Sequence, residues 1–274
     1  SYGYAWGYIG SCIPFLVALI AYVLGPDMVG VISASLSKQI GCIVTALWWA
    51  IVTLPLLKNY EQLFYTEKKE HAIRNSFKEI GHTLKTIALK DKKVLYFLIA
   101  FFFYIDGVGT IIDNCINIGT DLNLNTVGQV VFLLGTQVVA FFGSLFFAKL
   151  SKKYDTVQIL LICIVGYFGI SLYALCLKTL MHFAILAFGV GIFQGSIQSM
   201  SRSYYTKIIP AEHSGEYFGI YDIFSKGASF LGSLVIAAVK LLGGTINVAV
   251  ACLAIFFALG FIFLKIANKQ NSLN

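Results

Sequence analysis

The chain has 274 residues, of which 58% are hydrophobic and 12% are charged, and its mean hydropathy is +0.81. Soluble domains carry about 25% charged residues, so this composition excludes a water-soluble globular fold. The net charge of +7 does not indicate a nucleic-acid partner, because the basic residues lie in loops between apolar segments and form no aromatic-rich basic patch.

Eight apolar segments fill almost the whole sequence. Most of them are long enough to cross a hydrocarbon layer about 30 Å thick at about 1.5 Å per residue. In chain order, spans one to eight cover residues 4–24, 39–57, 94–119, 126–149, 157–177, 181–205, 215–239 and 245–267. The pattern predicts an all-α membrane protein.

The loops on the two sides of the predicted bundle differ in charge. Of the 20 Lys and Arg residues, sixteen lie in or beside the loops after spans two, four and six or in the tail, and three lie in the alternate loops. Because cytoplasmic loops are enriched in Lys and Arg, we expect both termini and the long loop of residues 58–93 to be cytoplasmic. An amphipathic pattern in this loop predicts a helix on the membrane surface or against the bundle. Its apolar face consists of Ile73, Phe77, Ile80, Leu84 and Ile87.

Span three carries two carboxylates in an otherwise apolar segment. Asp106 and Asp113 are seven residues apart and share a helical face, and Asp106 lies about 18 Å along the span, near the midplane. Gly107 and Gly109 follow Asp106, which favours a broken or flexible helix there. Charge inside a bilayer is costly and usually functional, so Asp106 with Gly107 is a candidate cavity site for a proton or substrate. The alternative is a structural carboxylate capped by a neighbouring helix, which is the role we expect for Asp113.

Span six carries polar residues at steps of four. Gln194 and Gln198 are candidate cavity residues, because amides both donate and accept and suit a zwitterion's carboxylate or amine. Arg202 fits a carboxylate bidentately, or its side chain extends to the nearby interface. In span seven, Asp222 and Lys226 lie one turn apart. We expect this pair to extend to Arg202 as a cytoplasmic gate that opens in one access state, with a permanent structural pair as the alternative.

A short basic loop joins spans four and five, in the segment Gly143-Ser-Leu-Phe-Phe-Ala-Lys-Leu-Ser-Lys-Lys-Tyr-Asp155. It resembles the loop that major facilitator transporters repeat between the second and third helices of each half. In that motif a Gly, here Gly143, permits close helix approach, and basic residues gate the cytoplasmic side. The basic residues are Lys149, Lys152 and Lys153. The match is degenerate, since Ser151 stands where an Asp is usual and Asp155 where a Gly is usual.

Longer segments resemble the autophagy-related vacuole effluxer family and its bacterial relatives, a branch of the major facilitator superfamily. The segments are Ser1-Tyr-Gly-Tyr-Ala-Trp-Gly-Tyr-Ile-Gly10, Phe103-Tyr-Ile-Asp-Gly-Val-Gly-Thr-Ile-Ile112, Gln194-Gly-Ser-Ile-Gln-Ser-Met-Ser-Arg-Ser203, Ile209-Pro210 and Gly215-Glu-Tyr-Phe-Gly-Ile-Tyr-Asp-Ile-Phe-Ser-Lys226. The resemblance covers the whole chain. One departure is Ser233, where relatives often have Pro. The family name implies amino-acid efflux from a storage compartment.

The resemblance implies a major facilitator-type helical bundle, in which a long cytoplasmic loop joins two six-helix halves. Residues 1–57 then correspond to the last two helices of the N-terminal half, residues 58–93 to the basic linker, and residues 94–274 to the C-terminal half. Eight helices of a twelve-helix parent are present, so we expect this chain to be a fragment that does not transport alone. In the superfamily, spans that correspond to spans three and six here line the substrate path.

The leading hypothesis is a secondary active transporter of small solutes, with amino acids as one class, that works by alternating access. The sequence has no GxxxxGKS or GxxxxGKT motif, so a proton or other ion gradient, or the solute gradient, would supply the energy. A non-transporting membrane scaffold and an intramembrane enzyme are the alternatives. The four His residues form no catalytic pattern, so we do not expect an enzyme.

We expect neither a cofactor nor a metal, because all six Cys lie in apolar segments and none forms a CxxC pair. The expected partners are a small-molecule solute, a coupled proton and the lipid bilayer, and the chain is expected to be a monomer. A bacterial protein of this kind would lie in the plasma membrane and a fungal one in the vacuolar membrane.

Overall fold

The computed structural model describes residues 2–25, 29–61 and 72–270, and within these ranges the chain is α-helical without β-strands. Short 3-10 turns lie at Ala174–Cys176 and Ala211–His213. The α-helices of the described ranges are α1 Tyr2–Val23, α2 Ala34–Asn59, α3 Ala72–Leu89, α4 Lys92–Asp113, α5 Cys115–Asp121, α6 Thr126–Leu150, α7 Thr156–Tyr173, α8 Leu180–Ile208, α9 Ser214–Lys226, α10 Phe230–Leu241, α11 Ile246–Cys252 and α12 Ala254–Lys269.

Eight helical segments of the described chain are long and apolar enough to cross a membrane, which confirms the predicted number of spans. Three of the predicted spans are not single helices. Span three passes from α4 into the short α5 at Asn114, span seven is interrupted between Lys226 and Phe230, and span eight is divided at Leu253. The length of an apolar segment identifies a span, but it does not reveal where the helix breaks.

The bundle is built on helix pairs that approach each other closely. The α6–α8 and α4–α12 pairs make the most extensive contacts. A Cβ atom at Gly143 of α6 would lie 2.4 Å from the carbonyl oxygen of Ile192 in α8, so only glycine fits there. At the periphery, α1 packs on α6, and α2 packs on α1 without burying any residue. The polar stripe of α8 is therefore held in place by backbone-to-backbone packing against α6.

The core between α4, α8 and α9 is aromatic. The rings of Phe101 and Tyr221 stack with centroids 4.2 Å apart, and those of Phe97 and Tyr205 stack at 5.6 Å. The buried Tyr205 hydroxyl donates a hydrogen bond of 2.8 Å to the carbonyl oxygen of Tyr217. These contacts hold α9, the first half of span seven, against spans three and six.

The predicted amphipathic helix of the long loop is α3, which packs against α4 and α9. Ile87 is buried and Ile80 is partly buried in this contact, whereas Phe77 and Leu84 are exposed. The side chain of Ile73 lies outside the described part. The side of the apolar face that carries Ile80 and Ile87 thus packs on the bundle, and the side that carries Phe77 and Leu84 is exposed.

Candidate functional site

A cavity of about 300 Å³ lies between spans one, three, six and seven, and we name it the central cavity. It joins a wider opening of about 750 Å³ between α1, α6 and α8, with which it shares four lining residues. The central cavity is lined by Tyr4, Phe101, Ile105, Val108, Gly109, Ile112, Asp113, Gln194, Gln198, Arg202, Tyr221, Asp222, Ser225, Ala228 and Ser229. Polar and charged groups from three spans therefore face one space inside an apolar bundle.

The polar stripe of span six borders both parts of this space. Gln194, Gln198 and Arg202 recur at steps of four on α8, so they point in the same direction. The opposite face of α8 meets α6, where Ser196 donates a long hydrogen bond of 3.4 Å to the carbonyl oxygen of Gly143. The stripe faces the cavity because the small residues of α8 occupy the contact with α6.

Aromatic residues of span one complete the wall, a role that was not predicted from the sequence. Tyr4 and Tyr8 lie one turn apart on α1 and both line the wider opening. The ring of Tyr8 lies directly over Gly195, where a Cβ atom would be 2.7 Å from its edge. Both tyrosines belong to the first segment that carries the family resemblance, and their i, i+4 spacing could have identified them.

The charged groups do not form the predicted Asp222–Lys226–Arg202 chain in this conformation. Among the described residues no ion pair joins Asp222 to Lys226 or to Arg202. The Arg202 guanidinium instead lies over the ring of Phe218 in α9, 5.1 Å from its centroid, as a cation–π contact. Arg202 and Asp222 line the same cavity from α8 and α9, while Lys226 does not line it.

Asp106 does not line the central cavity, which differs from the expectation. Its carboxylate is 0% exposed and accepts backbone hydrogen bonds from Leu231 at 3.1 Å and Gly232 at 2.7 Å. The Thr110 hydroxyl donates a third bond of 3.2 Å. Asp106 and Asp113 do share one edge of α4, but the start of α10 covers that edge at the level of Asp106. The structure thus shows the alternative arrangement, a carboxylate capped by a neighbouring helix, whereas Asp113 faces the cavity.

The prediction of a broken helix at Gly107 was also wrong. α4 is continuous from Lys92 to Asp113, and Gly107 does not line the cavity. A Cβ atom at Gly107 would lie 2.7 Å from the ring of Phe257 in α12. The glycine therefore makes room for the close α4–α12 contact.

The basic loop between spans four and five lies away from the cavity. Gly143 makes the close approach to α8 that the motif implies. The basic side chains of the loop are exposed: Lys149, Lys152 and Lys153. A lysine of span six, Lys207, reaches across to donate a 2.8 Å hydrogen bond to the Thr156 hydroxyl at the start of α7. This bond links the end of α8 to the start of α7.

The described part of the chain has no cluster of metal-binding side chains. Within residues 2–25, 29–61 and 72–270, no group of three or more His, Cys, Asp or Glu side chains is placed to hold a metal ion. All six Cys are free. The cavity walls offer charged groups, amide groups and aromatic faces.

Comparisons with known proteins identify the group to which this arrangement is similar. A family model described as "Vacuole effluxer Atg22 like" matches residues 1–274. The uncharacterized MFS-type transporter YxiO of Bacillus subtilis is 38% identical over 270 residues, which are 98% of this chain and 63% of that protein. Autophagy-related protein 22 of Eremothecium gossypii is 28% identical over 214 residues, or 70% of this chain and 42% of that protein. The chain thus spans less than two thirds of the length of these curated relatives, and the family resemblance is confirmed.

Proposed function

The chain belongs to the vacuole effluxer Atg22-like family of multi-pass membrane proteins, and on that premise we propose that it forms the solute-binding part of a secondary active transporter. The observation that carries the proposal is the central cavity, which gathers the polar residues of spans three, six and seven. Polar and charged groups are expensive inside a membrane, and secondary transporters place them around midplane sites.

We propose a small zwitterion as the solute, with amino acids as the leading class. The Arg202 guanidinium would hold a carboxylate, and Asp222 or Asp113 on the other walls would hold an ammonium group. Gln194 and Gln198 can serve either group, because an amide both donates and accepts. The effluxer name of the matching family supports export from a compartment, and a proton gradient is the proposed source of energy.

We propose that alternating access closes the cytoplasmic side by bringing Arg202 of α8 toward Asp222 of α9. The two residues line the same cavity from facing helices without forming an ion pair in this conformation. A charge-swapped Arg202→Asp/Asp222→Arg double variant tests this gate. We expect each single variant to be inactive and the double variant to regain flux; inactivity of all three would refute the pairing.

The experiment that tests the proposed function is flux of radiolabelled amino acids into liposomes that contain the full-length protein. We expect saturable flux, and we expect Gln198→Leu to raise the half-saturating concentration about tenfold or more, as for the loss of a hydrogen bond to a charged group, worth about 1.5–3 kcal/mol. Gly169→Ala is the matched control, because no atom lies within 4 Å of the position that its Cβ would occupy. Absence of flux for every amino acid, or equal kinetics of Gln198→Leu and wild type, would contradict the proposal.

A further inference from the structure

The outer half of span seven, α10, begins without a cap of its own. Its N-cap residue, Ser229, has φ +74° and ψ −4°, and its side chain makes no capping hydrogen bond. A left-handed conformation is unfavourable for a residue other than glycine, so the surrounding structure must impose it. The first backbone N–H groups of a helix need acceptors, and those of α10 must find them elsewhere.

Asp106 of span three supplies this cap from another helix. Its carboxylate accepts from Leu231 and Gly232, which are the second and third residues of α10. These are the two positions that an N-cap side chain normally satisfies in its own helix. The carboxylate is fully buried, and among the described residues no ion pair includes it. Its partners are the Thr110 hydroxyl and the two N–H groups at the positive end of the α10 dipole.

The surface of α4 around Asp106 is shaped to receive this helix start. A Cβ atom at Gly109 would lie 2.1 Å from the Ser229 hydroxyl, so the glycine makes room for the break in span seven. One turn away, a Cβ atom at Gly232 would lie 2.0 Å from the Thr110 hydroxyl and 2.8 Å from the Asp106 carboxylate. Two glycines thus allow span three and α10 to meet at the distance that the hydrogen bonds require.

The other end of α10 is also fastened to span three. Lys240, in the last turn of α10, forms an ion pair of 2.5 Å with Asp121 at the end of α5. The inner half of span seven has different attachments, because Glu216 of α9 accepts a hydrogen bond from Thr83 of the linker helix α3. Residues 227–229, which separate the halves, include Ala228 and Ser229 of the cavity wall.

We propose that Asp106 is a positioning residue that docks α10 onto span three, so that the two move as one unit and span seven bends at residues 227–229. The bend changes the wall of the central cavity without displacing the outer helix half. The consequence for solute movement rests on the proposed function, whereas the docking itself does not. Asp106 acts through α10 and contacts no solute.

Pairs of spin labels on the full-length protein, in a background without native Cys, test the docking. One pair, at Leu241 and Met181, reports the outer end of α10; the other, at Ile223 and Tyr154, reports α9, and all four side chains are exposed. We expect Asp106→Ala to broaden the distance distribution of the outer pair and to leave that of the inner pair unchanged. Asp106→Asn, which keeps one acceptor oxygen, should broaden it less. A merely structural loss would broaden both pairs together and would overturn the proposal.

Gly109→Ala gives a second route to the same result, because it displaces Ser229 without changing any charge. This variant still tests the docking if Asp106→Ala does not fold. Unchanged distances between the spin labels at Leu241 and Met181 in both Gly109→Ala and Asp106→Asn would refute the docking. Flux separates this inference from the proposed function. If Asp106→Asn loses flux while its outer spin-label distances stay unchanged, only the positioning role is overturned. If the variants alter the outer distances but the wild-type protein itself shows no flux, the docking stands and the proposed transport function is refuted.

Discussion

Replacing Gly143 with alanine should destabilise the protein through one backbone contact. The new Cβ atom would lie 2.4 Å from the carbonyl oxygen of Ile192, and the oxygen belongs to a helix backbone that cannot rotate away. Helices α6 and α8 would have to separate by about 1 Å to restore an ordinary contact of about 3.4 Å, which disturbs packing along the pair. Overpacking of this kind costs about 1–3 kcal/mol, so we expect Gly143→Ala to lower the free energy of unfolding by that amount.

Gly169→Ala is the matched control in α7. No atom lies within 4 Å of its Cβ position, and alanine in a helix interior is favoured over glycine by about 0.5–1 kcal/mol, so the control should be neutral or stabilising. The assay is denaturant unfolding in detergent micelles, followed by near-ultraviolet circular dichroism. Equal stability of the two variants would refute the claim that α6 and α8 meet through their backbones at Gly143.

Three further predictions concern single side chains. Tyr205→Phe removes the buried bond to the carbonyl oxygen of Tyr217 and should lower the free energy of unfolding by about 1 kcal/mol or more, measured in the same denaturant series; no change would contradict the bond. Arg202→Lys keeps the charge but loses the flat contact of the guanidinium over Phe218, so its flux should be lower than that of the wild type. Arg202→Gln also loses the charge and should have no flux. Equal flux of Arg202→Lys and wild type would show that the charge alone matters. Asp91 caps α4 through Val94, but its second oxygen is buried without a partner among the described residues, and burial raises the pKa of the carboxyl. Since this folded-state pKa exceeds the unfolded value of about 4, the group favours folding below about pH 4 and opposes it as pH rises. Asp91→Asn should therefore gain stability relative to wild type between about pH 4 and pH 7, and a constant difference across that range would contradict this sign.

The spans could be predicted from the sequence because crossing a membrane depends mainly on the length of an apolar segment. The helical spacing of Gln194, Gln198 and Arg202 also predicted a shared face, and the three residues do border one space. Helical spacing gives the direction of a side chain relative to its own helix. It says nothing about which neighbouring helix covers that direction.

Asp106 shows this limit. The face of α4 on which it lies follows from helical spacing, but the break in span seven places the N–H groups of α10 over that face. No proline marks this break in the sequence, so it could not be predicted. The partner of Arg202 was missed for a related reason. Charge spacing suggested Asp222, whereas the cation–π contact with Phe218 depends on how α8 and α9 pack, which the spacing does not record.

The most direct test of the central claim is whether water reaches the polar stripe of span six. Single cysteines at Gln194 and at Ile192, two residues apart at nearly equal depth on α8, are treated with a charged, membrane-impermeant thiol reagent in a background without native Cys. Gln194 lines the central cavity, whereas Ile192 is exposed on the other side of the helix. We predict that Gln194→Cys reacts and Ile192→Cys does not. If Gln194→Cys resists the charged reagent while a membrane-soluble maleimide modifies both positions, the cavity is not an aqueous path, which contradicts the proposed function.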